Sequence, residues 1–237
     1  MRVFVIGASS EIGLAVCKKY LAEGWAVLAH YCNNQAVLDQ VAANAGGRFK
    51  TIRIVFEDPN SLDKKLSDVR SIYNDCDALI NCAAMLDPLP FSRITAQNIM
   101  KHLAVNLVPG LLIMRDLGQG MKERGWGRVV HLGSIGTKFG GGQETFAYSL
   151  SKFALEMMPS ETKDWAQSNV LVNTLRVGVT ETNIHSLVSS KNMTKRISLI
   201  PMKRMAIASE IANTVWFLGS KENTFITGQC ISISGGE

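Results

Sequence analysis

The sequence has no run of five Lys or Arg residues, no Cys-x-x-Cys pair and no apolar stretch long enough to span a membrane. Each absence removes a class of function. Without a basic run, the net charge of +5 is spread over the surface, and no nucleic-acid face is expected. The five cysteines, at positions 17, 32, 76, 82 and 230, are an odd set without disulfide or zinc spacing. The four histidines also lack ligand spacing, so no metal is expected. A membrane partner would need a span of about 20 apolar residues. Met1 and Arg2 lead straight into an apolar run, which leaves no room for a signal peptide. A reducing, cytoplasmic setting is the expectation.

At 237 residues the chain suits one α/β domain, residues 1–237, with a full core. Seven short apolar runs read as strands: Val3–Ile6, Ala26–His30, Thr51–Phe56, Ala78–Asn81, Arg128–Gly133, Leu171–Leu175 and Gln229–Ile233. Runs of this kind suit parallel strands covered on both faces. The segments between them, including Ile12–Glu23, Ala96–Arg124 and Ser151–Ser168, are long enough for crossover helices. The expected fold is a single-domain Rossmann fold, a doubly wound parallel seven-stranded sheet with helices on both faces. Pro159 should bend or break its helix near Met157–Pro159, since proline removes a helical hydrogen bond. Residues 181–201 lack strong periodicity and suit a substrate lid.

Several short patterns carry chemistry. Gly7-Ala-Ser-Ser-Glu-Ile-Gly13 joins the first strand to a helix. Gly7 frees the turn, Gly13 lets the helix approach the sheet, and the helix N-terminus offers amides to a phosphate. Tyr148 and Lys152 lie one helical turn apart and face the same way. Free tyrosine is a poor acid–base group near neutrality, and a neighbouring cation is expected to lower its pKa. Taken singly, each pattern has a plainer reading. The glycines suit an ordinary β-α turn, Tyr148 and Lys152 a surface pair, Ser134 a strand-end cap and Asn106 a helix kink.

In their order along the chain these elements, with Asn81-Cys-Ala-Ala84, resemble the short-chain dehydrogenase/reductase family. The resemblance runs from Arg2 to Gly235-Gly236 and is similar in pattern to 3-oxoacyl-[acyl-carrier-protein] reductases. It implies hydride transfer between a nicotinamide cofactor and a carbonyl or secondary alcohol, with Asn106, Ser134, Tyr148 and Lys152 as the catalytic tetrad. Asn106 would hold a water that feeds protons to the lysine. Cofactor contacts would come from Gly7, Ser9, Ser10, Ile12, Gly13, Tyr31, Asn33, Asn34, Phe56, Asn81, Ala83, Tyr148, Lys152, Val179 and Thr182. Small-molecule carbonyls or acyl thioesters would be the substrates, and Arg124 and Arg128 could dock an acidic carrier protein. A homo-oligomer, tetramer or dimer, is implied as well. The other class of reading is a non-catalytic nucleotide-binding redox sensor or scaffold.

The chain also departs from the family pattern. Ile6 replaces a threonine, Glu11 a glycine, Val55 an aspartate and Val177 a proline, and Ser134 lies one residue further from Tyr148 than is common. Glu11 should turn its side chain away from the phosphates it would repel. The family's acidic NAD selector is missing after the second strand, where Tyr31, Cys32, Asn33 and Asn34 follow. NADP(H) is therefore favoured over NAD(H), although no basic residue occupies the usual 2′-phosphate positions, Ser10 and Cys32.

Overall fold

The computed structural model describes residues 1–237. Seven strands form one sheet: β1 (Arg2–Ile6), β2 (Ala26–Tyr31), β3 (Phe49–Arg53), β4 (Ala78–Asn81), β5 (Gly127–Ser134), β6 (Val170–Val177) and β7 (Cys230–Ile233). Their order is β3-β2-β1-β4-β5-β6-β7, and every pairing is parallel. The order reverses between β1 and β4, which opens a crevice at the carboxyl ends of those strands. Nine helices connect the strands: α1 (Glu11–Ala22), α2 (Ala36–Ala43), α3 (Leu62–Tyr73), α4 (Ala96–Asn106), α5 (Val108–Glu123), α6 (Phe146–Ala154), α7 (Thr162–Trp165), α8 (Met193–Ser198) and α9 (Ala208–Gly219). The doubly wound α/β class expected from the sequence is the class observed. No helix is long and apolar enough to cross a membrane.

The two faces of the sheet bury separate cores. On one, α1 and α9 pack together around Tyr20, Trp25 and Trp216, whose rings meet edge to face at 5.0–5.7 Å. Such pairs contribute about 0.5–1.5 kcal/mol each beyond burial. Tyr20 also donates its hydroxyl to the Gly219 carbonyl at 3.0 Å, which locks the two helices together. On the other face, Phe4, Leu28, Leu79 and Val129 pack against α3 and α5.

Several strands run a residue or two longer or shorter than expected, and four segments differ in ways that matter for the fold. β3 runs over residues 49–53 rather than 51–56. The first crossover helix begins one residue early, because Ser10 caps it. The segment 96–124 is two helices, broken at Leu107, because Pro109 has no N–H for the next turn. The segment 151–168 is divided as well. α6 starts at Phe146 and stops at Ala154, three residues before the expected bend, and α7 starts after Pro159. The early stop frees the Leu155 carbonyl for Thr174 Oγ1 at 2.7 Å and turns Glu156 onto Arg176 at 2.5 Å.

The proposed docking role of Arg128 fails on burial. Its side chain is enclosed, 1% exposed, and donates only to groups of this chain. Asn169 sits at φ +56° and accepts from Arg128. Arg124 remains exposed, beside Asp77 at 3.7 Å.

Candidate active site

Two elements, β5 and α6, bring Ser134, Tyr148 and Lys152 to one cavity of about 900 Å³. Ser134 ends β5, and its Oγ accepts from Gly136 N at 3.2 Å, which starts the tight turn 135–139. Gly140 and Gly141 then take φ of +68° and +85°, a region open to glycine, and fold the chain back into α6. This glycine turn accommodates the extra residue between Ser134 and Tyr148.

Lys152 lies under the cavity floor. Its Nζ donates to Ala83 O at 2.7 Å and Leu132 O at 2.8 Å, so it ties α6 to the ends of β4 and β5. An ammonium has three N–H groups, which leaves one for the cleft. Burial lowers its pKa to about 8, against an opposing influence from Cys82. The expected lowering of Tyr148 by this lysine is not found. Burial pushes the phenol up to about 12, opposed by its hydrogen bond with Ser134. Two of the three Lys152 donors go to main-chain carbonyls instead. Tyr148 is therefore a protonated phenol at neutral pH.

Asn106 does not line the cavity. Its Oδ1 accepts from Met85 N at 2.7 Å, and its Nδ2 donates to Met85 O and Ser151 Oγ at 3.0 and 2.9 Å. The side chain is spent on fixing the chain beyond β4 against α6. Its carbonyl is at the break between α4 and α5.

The turn after β1 has the geometry of a phosphate cradle. Gly7 takes φ +73°, and a Cβ there would press on Ala83 N at 2.9 Å. A Cβ at Gly13 would collide with the Gly7 carbonyl. Ser10 caps α1 by accepting from Gly13 N at 3.1 Å while donating to Gly7 O at 2.8 Å. A second cavity of about 220 Å³, lined by Gly7, Ser9, Phe56 and Ala83 among others, shares Ser10, Cys82 and Ala84 with the first. The two form one elongated space across the β1–β4 reversal, with α1 pointing its N-terminus into it. An extended dinucleotide fits this shape and this dipole.

Other expected contacts fall in different places. Ile12, Val179 and Thr182 line the larger cavity, and Asn33 the smaller. The Val179 carbonyl already accepts from Ala206 N at 2.9 Å, so its N–H is the group left for a ligand. Asn81 is turned inward: Oδ1 accepts from Ala83 N and Nδ2 donates to His131 Nδ1, at 3.2 and 3.3 Å. Gly13 supports the turn without lining either cavity. Tyr31 is buried in the core with its hydroxyl on Gln35, and Asn34 is exposed outside both cavities. These last two are displaced because β2 runs one residue longer than expected, which draws Tyr31 into the sheet.

Three contributors were not foreseen. His30 accepts from Gly7 N at 3.1 Å, donates from Nε2 to Ile54 O at 2.9 Å and stacks on Phe56 at 4.3 Å. It thereby joins the phosphate turn to the floor of the smaller cavity, and burial holds it neutral, with a pKa near 4. Its signal was a polar residue in an otherwise apolar strand. Arg53 pairs with Tyr31 in the sheet and donates from Nε to Cys32 O at 2.9 Å, which places an exposed guanidinium beside Asn33.

The third is the use of Glu11. Its Oε1 accepts from Asn183 N at 2.9 Å, so the carboxylate bridges the phosphate turn to residues 183–187. It remains on the first residue of α1, where a bound phosphate would meet its charge. Glu11→Gln keeps the acceptor and removes that charge. NADPH should then bind about twofold to fivefold tighter, as expected for one charge at a helix terminus. A fluorescence titration giving equal or weaker binding would show that the carboxylate stands clear of the phosphates.

The doubly wound sheet, the glycine-lined turn at its reversal and the Ser134–Tyr148–Lys152 cluster together define a nicotinamide-dependent oxidoreductase of the short-chain type. The family model described as "Enoyl-(Acyl carrier protein) reductase" matches residues 7–237, and the chain belongs to this family of short-chain dehydrogenases/reductases. It is 28% identical to the 3-oxoacyl-[acyl-carrier-protein] reductase FabG of Aquifex aeolicus, covering 98% of this chain and 95% of that one. It is 29% identical to the acetoacetyl-CoA reductase of Allochromatium vinosum, covering 98% and 96%. Among solved structures, a 3-oxoacyl (acyl-carrier-protein) reductase from Agrobacterium tumefaciens with NADP bound superposes with a TM-score of 0.86. That protein is 26% identical, with 100% of this chain and 93% of the other covered.

Proposed function

We propose that the protein reduces a ketone with NADPH, and that 3-oxoacyl thioesters are the substrate class. The carrying observation is that Ser134, Tyr148 and Lys152 line one large cavity, where burial keeps the Tyr148 phenol protonated. A phenol that keeps its proton near neutrality is suited to donate it, which is the need of reduction. The Ser134 hydroxyl donates to the carbonyl oxygen and holds it beside Tyr148. As negative charge gathers on that oxygen, Tyr148 gives it the proton. The nicotinamide, when bound, supplies the hydride. Lys152, with two N–H groups on main-chain carbonyls, would offer its third to the cofactor ribose. Asn106 holds the Met85 segment in place, and its carbonyl, rather than its side chain, is the group that would hold a water. Residues 181–201 act as the lid, since 183–187 and α8 carry cavity-lining side chains.

The preference for NADPH rests on three features: no acid follows β2, Asn33 lines the smaller cavity, and Arg53 presents a guanidinium beside it. With Nε used on Cys32, both terminal nitrogens of Arg53 are free for a 2′-phosphate. A homo-oligomer is the assembly we favour, because Met100 on α4 and Leu150 and Phe153 on α6 leave apolar surface exposed. Paired fluorescence titrations with NADPH and NADH test the cofactor, and a spectrophotometric assay with acetoacetyl-CoA tests the substrate. NADPH should bind at least tenfold tighter, about 1.4 kcal/mol or more, and acetoacetyl-CoA should be reduced. Tighter NADH binding would refute the cofactor reading, and an inert thioester the substrate reading.

A further inference from the structure

The lid contributes a cation to the cavity that the reaction described above does not use. Lys191 precedes α8, is partly buried and lines the cavity. Its Nζ lies 2.9 Å from His185 Nδ1. His185 Nε2 lies 2.9 Å from the Thr180 carbonyl, which can only accept, so Nε2 carries the proton and Nδ1 accepts from Lys191. The ammonium is thus aimed by a neutral ring and keeps two further N–H groups.

No carboxylate lies within 4.0 Å of it. The acids that share the cavity are engaged elsewhere. Glu237 takes Arg196 through both oxygens, at 2.6 and 2.8 Å, Glu11 accepts from Asn183 N, and Glu144 accepts from Ser190 Oγ at 2.7 Å. Glu237, held by Arg196, acts on this ammonium only at longer range, and a partly desolvated ammonium without a paired carboxylate favours an anion brought by a ligand. Lys195 lines the same cavity and adds positive potential.

We propose that Lys191 is a specificity residue that binds an anionic group, carboxylate or phosphate, carried by the ketone substrate. This rests on the ketone reduction proposed above. The substrate enters with its carbonyl at Ser134 and Tyr148 and its anionic end under the lid at Lys191. Neutral ketones of the same shape lack that anchor and bind more weakly.

The test compares wild type with Lys191→Met, which retains the apolar stem, on two matched pairs. Acetoacetate is set against ethyl acetoacetate, and acetoacetyl-CoA against the acetoacetyl thioester of N-acetylcysteamine. The substitution should raise KM for the anionic member of at least one pair by roughly tenfold to a hundredfold, with kcat little changed. The neutral member should lose far less. The pair that responds identifies the anion as carboxylate or phosphate. Equal losses within both pairs would overturn the proposal, as would a defect confined to NADPH affinity, which would assign Lys191 to the cofactor. If wild type reduces none of the four compounds, the reduction reading falls, and binding of the same compounds to NADP-loaded protein decides Lys191 alone. Anion binding weakened by the substitution would support the proposal there, and unchanged binding would overturn it.

Discussion

Tyr148→Phe should lower turnover about a hundredfold to ten-thousandfold, the range for losing one general acid, while NADPH affinity changes by less than about twofold. The substitution removes one oxygen and leaves the ring, so the wall of the cavity keeps its shape. Lys152 keeps both main-chain bonds, to Ala83 and Leu132, and the cofactor face is undisturbed. The loss should therefore fall on kcat rather than on binding. Stopped-flow reduction of a 3-oxoacyl thioester, with a parallel NADPH titration, separates the two. Turnover within tenfold of wild type would mean that another group supplies the proton. Collapse of cofactor binding would mean that the phenol holds the nucleotide rather than serving the reaction.

Much of the fold was legible because parallel strands buried on both faces favour apolar runs, and β1 and β4 have them in Val3–Ile6 and Ala78–Ile80. β3 was displaced because it is an edge strand. In Phe49-Lys-Thr-Ile-Arg53 only Phe49 and Ile52 are buried, while the stronger apolar run Ile54-Val-Phe56 lies just beyond it. Pro159 and Pro109 both divide helical segments, yet only the first was read as a break. The spacing of Tyr148 and Lys152 was visible, but the lysine's partners were not. They are carbonyls, which carry no sequence signature, and they lie 69 and 20 residues away. For the same reason Glu11 could be read as turning from the phosphates but not as reaching Asn183, 172 positions on. Arg53 was hidden by the misplaced strand, since its nearness to Asn33 follows only from the observed pairing with Tyr31.

Arg128 invites a prediction on stability. It is the second residue of the long strand β5 and lies almost wholly enclosed, with no carboxylate partner. Its guanidinium serves carbonyls instead: Gly127 and Asn169 through Nη1, both at 2.7 Å, Asn223 through Nη2 at 2.7 Å, and Ser220 through Nε at 3.2 Å. It also lies 4.5 Å from the Trp126 ring centre. Burial lowers its pKa to about 10, a mark of how little water reaches it. Arg128→Met keeps most of the volume and removes every donor. Relief of the buried charge works in favour of the variant. Against it, the Ser220 and Asn223 carbonyls after α9 stay buried without partners, at about 1–3 kcal/mol each, while the Asn169 carbonyl keeps only Gly127 N. The second effect should win, because those carbonyls cannot leave their turns without unfolding both. We expect a loss of about 3–5 kcal/mol in urea unfolding, and a Tm lower by roughly 10 °C or more for a domain of this size. The folded fraction should keep its kcat, since none of these bonds touches the cavity. A change below about 1 kcal/mol would mean that water enters and satisfies the carbonyls, and the enclosure described for Arg128 would then be wrong.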